Sequence, residues 1–501
     1  MKKYISVIAV IFTVGIIAGC KKDYLSLENN PNQPSVTTPD LLLPASEVGA
    51  AYVYQVAYPH YGVWGGYWTT SGNYVPNATI NEYQITTGSF TMPDGNDIWT
   101  YLYLNAGNLN TLQGLSSGST ATANYQAIAM ILKVFDFQQL VDNYNDVPYT
   151  QAFDTKNLTP VYDKGADIYH DLGKELDAAI KLISDNPNAK APSSDAIFGG
   201  DMTQWQKFAN TLKLRLAIRV YTKTPSDPLV ADLASTASIG YLSDDAAVNP
   251  GYTAVNSGAG VSQQDPFYGY YGFDVTGNAT FPNNYYRAND YAVKFYQKNN
   301  DPRVATFYAP NASGDIAGNV FGDIAHNLQN PAISAIGPGL LQGDTQNAVL
   351  LSAFESDFLQ AEALQSGLLK PSTGTAFATA QAAYEAAITA SFVENGLTEA
   401  QAATYYGQAL NNVGWAASTN KLTAILTQKW AALNGWFNLE AYNEYRRTGI
   451  PALPSSIDPT AIGTTLPTRV LYPTSELTTN TGNLGKEGTI SPLTSKIFWA
   501  K

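Results

Sequence analysis

The sequence predicts a mainly α protein with minor β, and three observations carry that prediction. Apolar residues recur at three- and four-residue steps through most of the chain, which stacks them on one face of a helix. Runs that alternate with period two, as half-buried strands do, are sparse. Two segments end alike, Leu176-Asp177-Ala178-Ala179-Ile180 and Tyr384-Glu385-Ala386-Ala387-Ile388, as the second helices of paired helical units do.

In chain order, a helix is expected over 41–58, opened by Thr38-Pro39-Asp40: a capping hydroxyl, then proline in the first turn. Helices follow over 98–112, 121–141, 165–183 and 203–222. In the last of these Trp205, Phe208, Leu212 and Leu216 share one face, while Leu214, Ile218 and Tyr221 lie opposite. A helix apolar on two sides is packed on two sides. Between about 240 and 350, Gly, Asn, Asp, Pro and aromatic residues dominate, and only 288–298 reads as helical. An irregular stretch of this length is functional or disordered, and its aromatic content argues against disorder. Helices return over 350–367, 376–394, 399–410, 421–433 and 436–445, before a Pro-, Thr- and Gly-rich tail. No steady period links these units, so a regular solenoid is not supported.

Composition bounds the function. Of 501 residues 45% are hydrophobic and 14% charged, enough apolar material for a large core. A net charge of −13 argues against a nucleic-acid partner, which needs a basic footprint. A single cysteine excludes an intramolecular disulfide and a Cys-based zinc site, and three histidines leave little for His-based chemistry. Tyrosine is abundant at 33.

The N-terminus reads as a secretory signal. Lys2 and Lys3 precede an apolar or neutral run over 4–17, too short for a comfortable membrane span. The run ends in Ile17-Ala18-Gly19-Cys20, which resembles a bacterial lipobox. We therefore expect a signal peptide over 1–19, lipidation at Cys20, a polar tether over 20–38, and one domain over 39–501.

Three stretches concentrate the surplus rings. The first includes Trp64, Tyr67, Trp68 and Tyr74. Tyr61, Trp64 and Trp68 share a helical face, as a core stripe would, but Gly62, Gly65 and Gly66 weaken a helix there, so core and site both stay open. The second is Phe267-Tyr268-Gly269-Tyr270-Tyr271-Gly272-Phe273, whose rings alternate with glycine, as in a presenting loop. The third is Tyr285-Tyr286-Arg287. Tyrosine and tryptophan offer a flat apolar plate with a polar tip, which suits the C–H face and hydroxyl rim of a sugar, and also suits peptides. The candidate ligand-binding residues are thus Trp64, Tyr67, Trp68, Tyr74, Tyr268, Tyr270, Tyr271, Tyr285, Tyr286 and Arg287.

Catalytic strings fail on context. Gly114-Leu115-Ser116-Ser117-Gly118 fits G-x-S-x-G but lies between helices, where no strand precedes the serine. Ser418-Thr419-Asn420-Lys421 fits S-x-x-K, but a hydroxyl opening a helix is more simply a cap. Asp142-Asn143-Tyr144-Asn145-Asp146 carries calcium-type oxygens without the spacing of a calcium loop and reads as a turn. No catalytic residue, metal or cofactor is expected. A lipid-anchored glycoside hydrolase remains the enzyme alternative, since its carboxylates pair in space.

Taken in order, several segments resemble the SusD/RagB nutrient-binding outer-membrane lipoproteins, in particular the SusD-like branch. They are Cys20 with Asp23-Tyr24-Leu25, Asn30-Pro31-Asn32, Asp146-Val147-Pro148-Tyr149 and Trp205-Gln206-Lys207-Phe208-Ala209-Asn210. Gln428-Lys429-Trp430, Glu444-Tyr445-Arg446-Arg447-Thr448-Gly449 and Arg469-Val470-Leu471-Tyr472-Pro473 complete the set. The resemblance implies a single domain of tetratricopeptide-like helix pairs and anchoring at the cell surface. It further implies a lid on a TonB-dependent, SusC-like outer-membrane transporter, capturing oligosaccharide, or in some relatives oligopeptide, without cleaving it.

Overall fold

The computed structural model describes residues 37–257, 262–371 and 373–501. The signal peptide expected over 1–19, the lipidation expected at Cys20 and the expected tether up to residue 36 lie outside the described residues. The chain is mainly helical with two short antiparallel ribbons, as its pattern predicts.

Helix α1 (Pro39–Val56) starts with proline in its first turn, although the Thr38 hydroxyl makes no cap bond. After the short α2 (Pro59–Trp64) and strand β1 (Trp68–Thr70), four long helices follow: α3 (Ile98–Ser116), α4 (Ala123–Tyr144), α5 (Gly165–Asp185) and α6 (Met202–Tyr221). Each packs on the next. Helix α4 is buried around nearly its whole circumference, the outcome expected of a helix apolar on every side. Leu212 and Leu216 on one side of α6 and Leu214 and Ile218 on the other are all buried.

The irregular part holds β2 (Ala246–Val248), a one-turn helix α7 (Phe281–Tyr285), β3 (Tyr286–Ala288), α8 (Asp290–Lys298) and β4 (Ala348–Leu351). Then come α9 (Ala353–Gln365), α10 (Ala380–Glu394), α11 (Glu399–Tyr406), α12 (Lys421–Leu433) and α13 (Asn438–Thr448). Within this second set α9 packs on α10 and α12, α10 on α11, and α12 on α13, while α6 packs on α9 and joins the two sets.

A buried ion-pair network crosses that junction. Arg219 of α6 reaches Asp142 of α4 at 2.8 Å and also pairs with Glu440 of α13. Arg215 meets Glu355 of α9 at 3.0 Å, and Arg447 meets Glu362 at 2.7 Å and also Glu444. Buried charges persist only when paired. Burial would push the Glu444 carboxyl up, but Arg447 and Lys429 outweigh it and hold it at about 2. This network and its neighbours account for two charged clusters of the sequence. Asp142 is an internal ion-pair partner, while Asp146 accepts the Gly165 amide at 2.8 Å where α5 begins, so neither builds a calcium loop. The Arg446-Arg447 pair is framework: Arg446 donates to the carbonyls of Asp142 and Thr468.

The two catalytic strings dissolve as well. Ser116 is a buried residue within the last turn of α3. Ser418 donates to the Gly414 carbonyl at 2.8 Å, and Asn420, not a serine, caps α12.

The tyrosine surplus goes largely inside. Phenol hydroxyls donate to backbone carbonyls far away in sequence: Tyr67 to Trp430 at 2.6 Å, Tyr296 to Ala431 at 2.8 Å, Tyr308 to Tyr67 at 2.8 Å and Tyr442 to Pro467 at 2.6 Å. Irregular backbone and the last turn of a helix, here α12, leave carbonyls without a local donor, and these rings both fill the core and supply the missing donors.

Candidate functional site

The first and third aromatic stretches are brought together by backbone. Helix α2 lasts six residues because Gly65 ends it and Gly66 turns the chain at φ +79°. Gly62 lets Trp68 fold back onto the helix: a Cβ there would lie 2.8 Å from the Trp68 ring. Strand β1 then pairs antiparallel with β3, setting Trp68 opposite Ala288, Thr69 opposite Arg287 and Thr70 opposite Tyr286.

The glycine-spaced stretch forms a single π-helical turn, Tyr268–Gly272. Asp265 starts it by accepting the Tyr268 amide at 2.8 Å. The returning segment closes it: Thr280 donates to the Tyr270 carbonyl at 2.7 Å and Asn283 to the Tyr271 carbonyl at 2.8 Å. The turn points neighbouring rings in opposite directions. Tyr271 faces inward, its hydroxyl on the Val56 carbonyl at 2.8 Å and its ring 5.2 Å from that of Trp68. Tyr270 faces outward, half-buried, braced edge-on against Tyr271 at 4.8 Å.

Tyr270 walls a cleft of about 420 Å³ whose lining includes His60, Asn77, Thr79, Ser89, Phe90, Phe281, Tyr285 and Tyr286. Phe281 and Tyr285 stack at 5.4 Å, and Tyr74 leans on both. The Asn77 amide donates to the Tyr285 hydroxyl and fixes that ring. On the opposite wall His60 is stacked on Phe90 at 3.9 Å. Burial, with Arg446 nearby, holds the His60 imidazole down at about 3, so it is neutral, and its Nε2 has no partner among the described residues. Among the described residues no carboxylate, ammonium or guanidinium lines the cleft. It offers ring faces interleaved with neutral hydrogen-bonding groups, an arrangement for a neutral ligand with apolar faces and a polar rim.

Not every expected residue is here. Trp64, Tyr67, Trp68 and Tyr271 are buried at 0–1% exposure: for the first three, which the sequence leaves open between core and site, this means core and not ligand contact, and for Tyr271 it corrects the reading as a presented ring. Trp64 is enclosed by His60, Phe90 and Tyr442, and Tyr67 stacks on Trp430 at 5.1 Å. Arg287 is buried at 8% exposure, bonded to Asn284 across the turn before it; it forms no ion pair among the described residues. Burial therefore lowers its basicity. Tyr268 is half-buried beside Phe273 and does not line the cleft. Tyr270, Tyr285 and Tyr286 line it, with Tyr74 behind its rim.

Sequence reasoning missed His60, Phe90 and Phe281. Phe281 had a readable signal: Thr280 caps α7 and Pro282 follows, so Phe281 is the first residue of a one-turn helix, where it stays 63% exposed. Nothing local marks His60 or Phe90, whose stacking is a tertiary event.

With this geometry in hand, comparison with known proteins defines the class. A family described as "SusD-like_2: Starch-binding associating with outer membrane" matches residues 31–473, and the chain belongs to that family. Among solved structures it is similar to a chitin-binding protein, at 23% identity over 93% of this chain and 100% of that one, with a TM-score of 0.74. It is also similar to a SusD homologue of Bacteroides fragilis (20% identity, 93% and 100% covered, TM-score 0.72). A chitin-binding SusD homologue of Flavobacterium johnsoniae matches at 23% identity, with 91% and 98% covered and a TM-score of 0.70. At such identities the likeness establishes a shared fold. No curated protein matches the chain by sequence.

Proposed function

We propose that this protein is a surface lipoprotein that captures nutrient oligosaccharides and hands them to a TonB-dependent outer-membrane transporter, without cleaving them. The observation that carries the reading is the cleft walled by Tyr270 and Tyr285: open ring faces beside uncharged polar groups, on a fold whose family is described as starch-binding. Sugar rings would stack on these faces while Asn77, Thr79 and Ser89 meet hydroxyls. The lining holds no carboxylate, whereas glycosidic cleavage generally requires two. Two relatives are named as chitin-binding, which favours saccharides over peptides as the ligand. No helix among the described residues is long and apolar enough to cross a membrane. Acyl chains on Cys20 would supply the attachment, and a partner transporter the passage.

Because binding must offset lost freedom and desolvation, affinity is expected in the micromolar to millimolar range, on the order of −4 to −8 kcal/mol. The test is calorimetry of the detergent-solubilised protein over a panel of oligosaccharides and peptides. A saccharide should bind, and Tyr270→Ala should weaken it about tenfold with unchanged melting. Binding of peptides alone, or shortening of any glycan during incubation, would overturn the reading. Separately, Cys20→Ala should release the folded protein from membranes, and affinity isolation from outer membrane should recover a β-barrel partner.

A further inference from the structure

Tyr270 has a second open side. Beyond it lies another hollow, of about 590 Å³, whose lining includes none of the sequence-expected rings except Tyr270 itself. Its walls combine α1, through Val48 and Tyr52, with a distant stretch of chain that supplies both the loop carrying Tyr252 and the segment before the π-helical turn, through Asp265 and Pro266. Most of this lining is apolar, with Pro93 and Pro250 adding two more flat faces.

Against that lining two polar groups stand out. Asp265 is fully buried; one carboxyl oxygen accepts the Tyr268 amide at 2.8 Å, but Oδ2 has no donor among the described residues. The Tyr252 hydroxyl, 8% exposed as a residue and within electrostatic reach of Asp265, is likewise without a partner. Burial pushes the Asp265 carboxyl up to about 7. Leaving a buried acceptor unmet is costly, so a ligand donor is favoured here. The apolar surround selects among donors. An ammonium would be desolvated against prolines, and a bare hydroxyl would leave those faces wet. A neutral N–H carrying a methyl group at its other end satisfies both the carboxyl oxygen and the apolar walls.

We propose that the hollow walled by Val48, Tyr52, Tyr252, Asp265, Pro266 and Tyr270 is a second subsite that takes the 2-acylamido group of a sugar unit. The amide N–H donates to Asp265, and the acyl methyl lies against Val48 and Pro266. This rests on the reading of the molecule as a saccharide binder and sharpens it. Because Tyr270 is the shared wall of both hollows, one ligand chain crosses it, with one unit on each side.

The experiment compares triacetylchitotriose, cellotriose and the fully deacetylated chitosan trimer by calorimetry on the detergent-solubilised full-length protein. The three share a β-1,4 backbone and differ at C2. The acetylated trimer should bind about tenfold tighter than cellotriose. Asp265→Asn should erase that preference. The Tyr268 amide will hold the new side chain by its oxygen, so the NH2 sits where Oδ2 was and donor then faces donor. Ser262→Trp, at an exposed lining position, plugs the hollow independently of Asp265 and should erase it too. The proposal is overturned if the wild type binds acetylated trimer and cellotriose equally, if the deacetylated trimer is preferred, or if both variants keep the preference. Failure of every saccharide to bind would overturn the broader reading along with it.

Discussion

The helical framework and the ring-rich region around Tyr270 are both crowded with aromatic side chains, yet they hold them by different means. In the framework, ring positions follow helical period, and the elements are locked by ion pairs such as Arg219–Asp142. In the ring-rich region there is no period to follow. Glycines permit close turns, and phenol hydroxyls tie irregular backbone to distant carbonyls, as Tyr271 does to Val56. Adjacent residues in one turn, Tyr270 and Tyr271, therefore take opposite roles. Aromatic density alone does not mark a site in this molecule. The candidate site lies where a stapled ring, Tyr271, braces a neighbour, Tyr270, whose face stays open.

The strongest way to break the framework is to unpair its charges. Arg219→Met leaves Asp142 and Glu440 buried without their guanidinium and should cost about 3–5 kcal/mol, read by urea or thermal unfolding. A loss below about 1 kcal/mol would mean the network adds little. In the ring-rich region Tyr271→Ala should cost about 3 kcal/mol or more by opening a cavity beside Trp68. Tyr271→Phe, which strands only the Val56 carbonyl, should cost about 1–2 kcal/mol. Equal melting of Tyr270→Ala and Tyr271→Ala would erase the distinction drawn between the two rings.

A third change sharpens the contrast with the opposite sign. Asp136 of α4 is fully buried with, among the described residues, only the Asn105 amide as partner, and burial raises it to about 8. Its native pKa exceeds its unfolded value, so the native state binds more protons between about pH 4 and 8, and stability falls as pH rises through that window. Asp136→Asn removes the titration. The variant should gain on the wild type as pH rises, on the order of 4 kcal/mol between pH 4.5 and pH 8. Paired melts at pH 4.5 and pH 8 check this, and a constant difference would count against it.

The sequence made the framework legible and the site only partly so. Helices expected over 165–183, 203–222 and 421–433 stand at Gly165–Asp185, Met202–Tyr221 and Lys421–Leu433, because a solvent-facing or two-faced helix writes its packing into its period. The meeting of residues 58–74 with 267–287 was expected from ring content and is realised by the β1–β3 pairing. Which rings would be buried was not readable. Tyr67 is fixed by a carbonyl at Trp430, more than three hundred residues away, and no local pattern encodes such a bond. Residues 142–146 read as a turn for the same reason: the partners that hold Asp142 and Asp146 at and beyond the end of α4 lie on other elements.

The smallest expected effect on stability falls at Phe281, the ring most exposed at the cleft. It is 63% exposed, stacks on Tyr285 at 5.4 Å, and sits at the first position of α7, where its backbone amide needs no helical partner. Truncation to alanine leaves the Thr280 cap and the Asn283 bond to the turn intact. Phe281→Ala should therefore shift unfolding by no more than about 0.5 kcal/mol. Its ring nonetheless extends the stacking surface beyond Tyr285, and losing one ring face is worth about 0.5–1.5 kcal/mol, a few-fold in affinity. Thermal melts and calorimetry with the saccharide that the wild type binds would separate the two quantities. A variant that melts as the wild type and binds a few-fold more weakly places the ligand along the Phe281–Tyr285–Tyr270 line. If affinity is unchanged while Tyr270→Ala abolishes it, the ligand lies wholly on the other side of Tyr270.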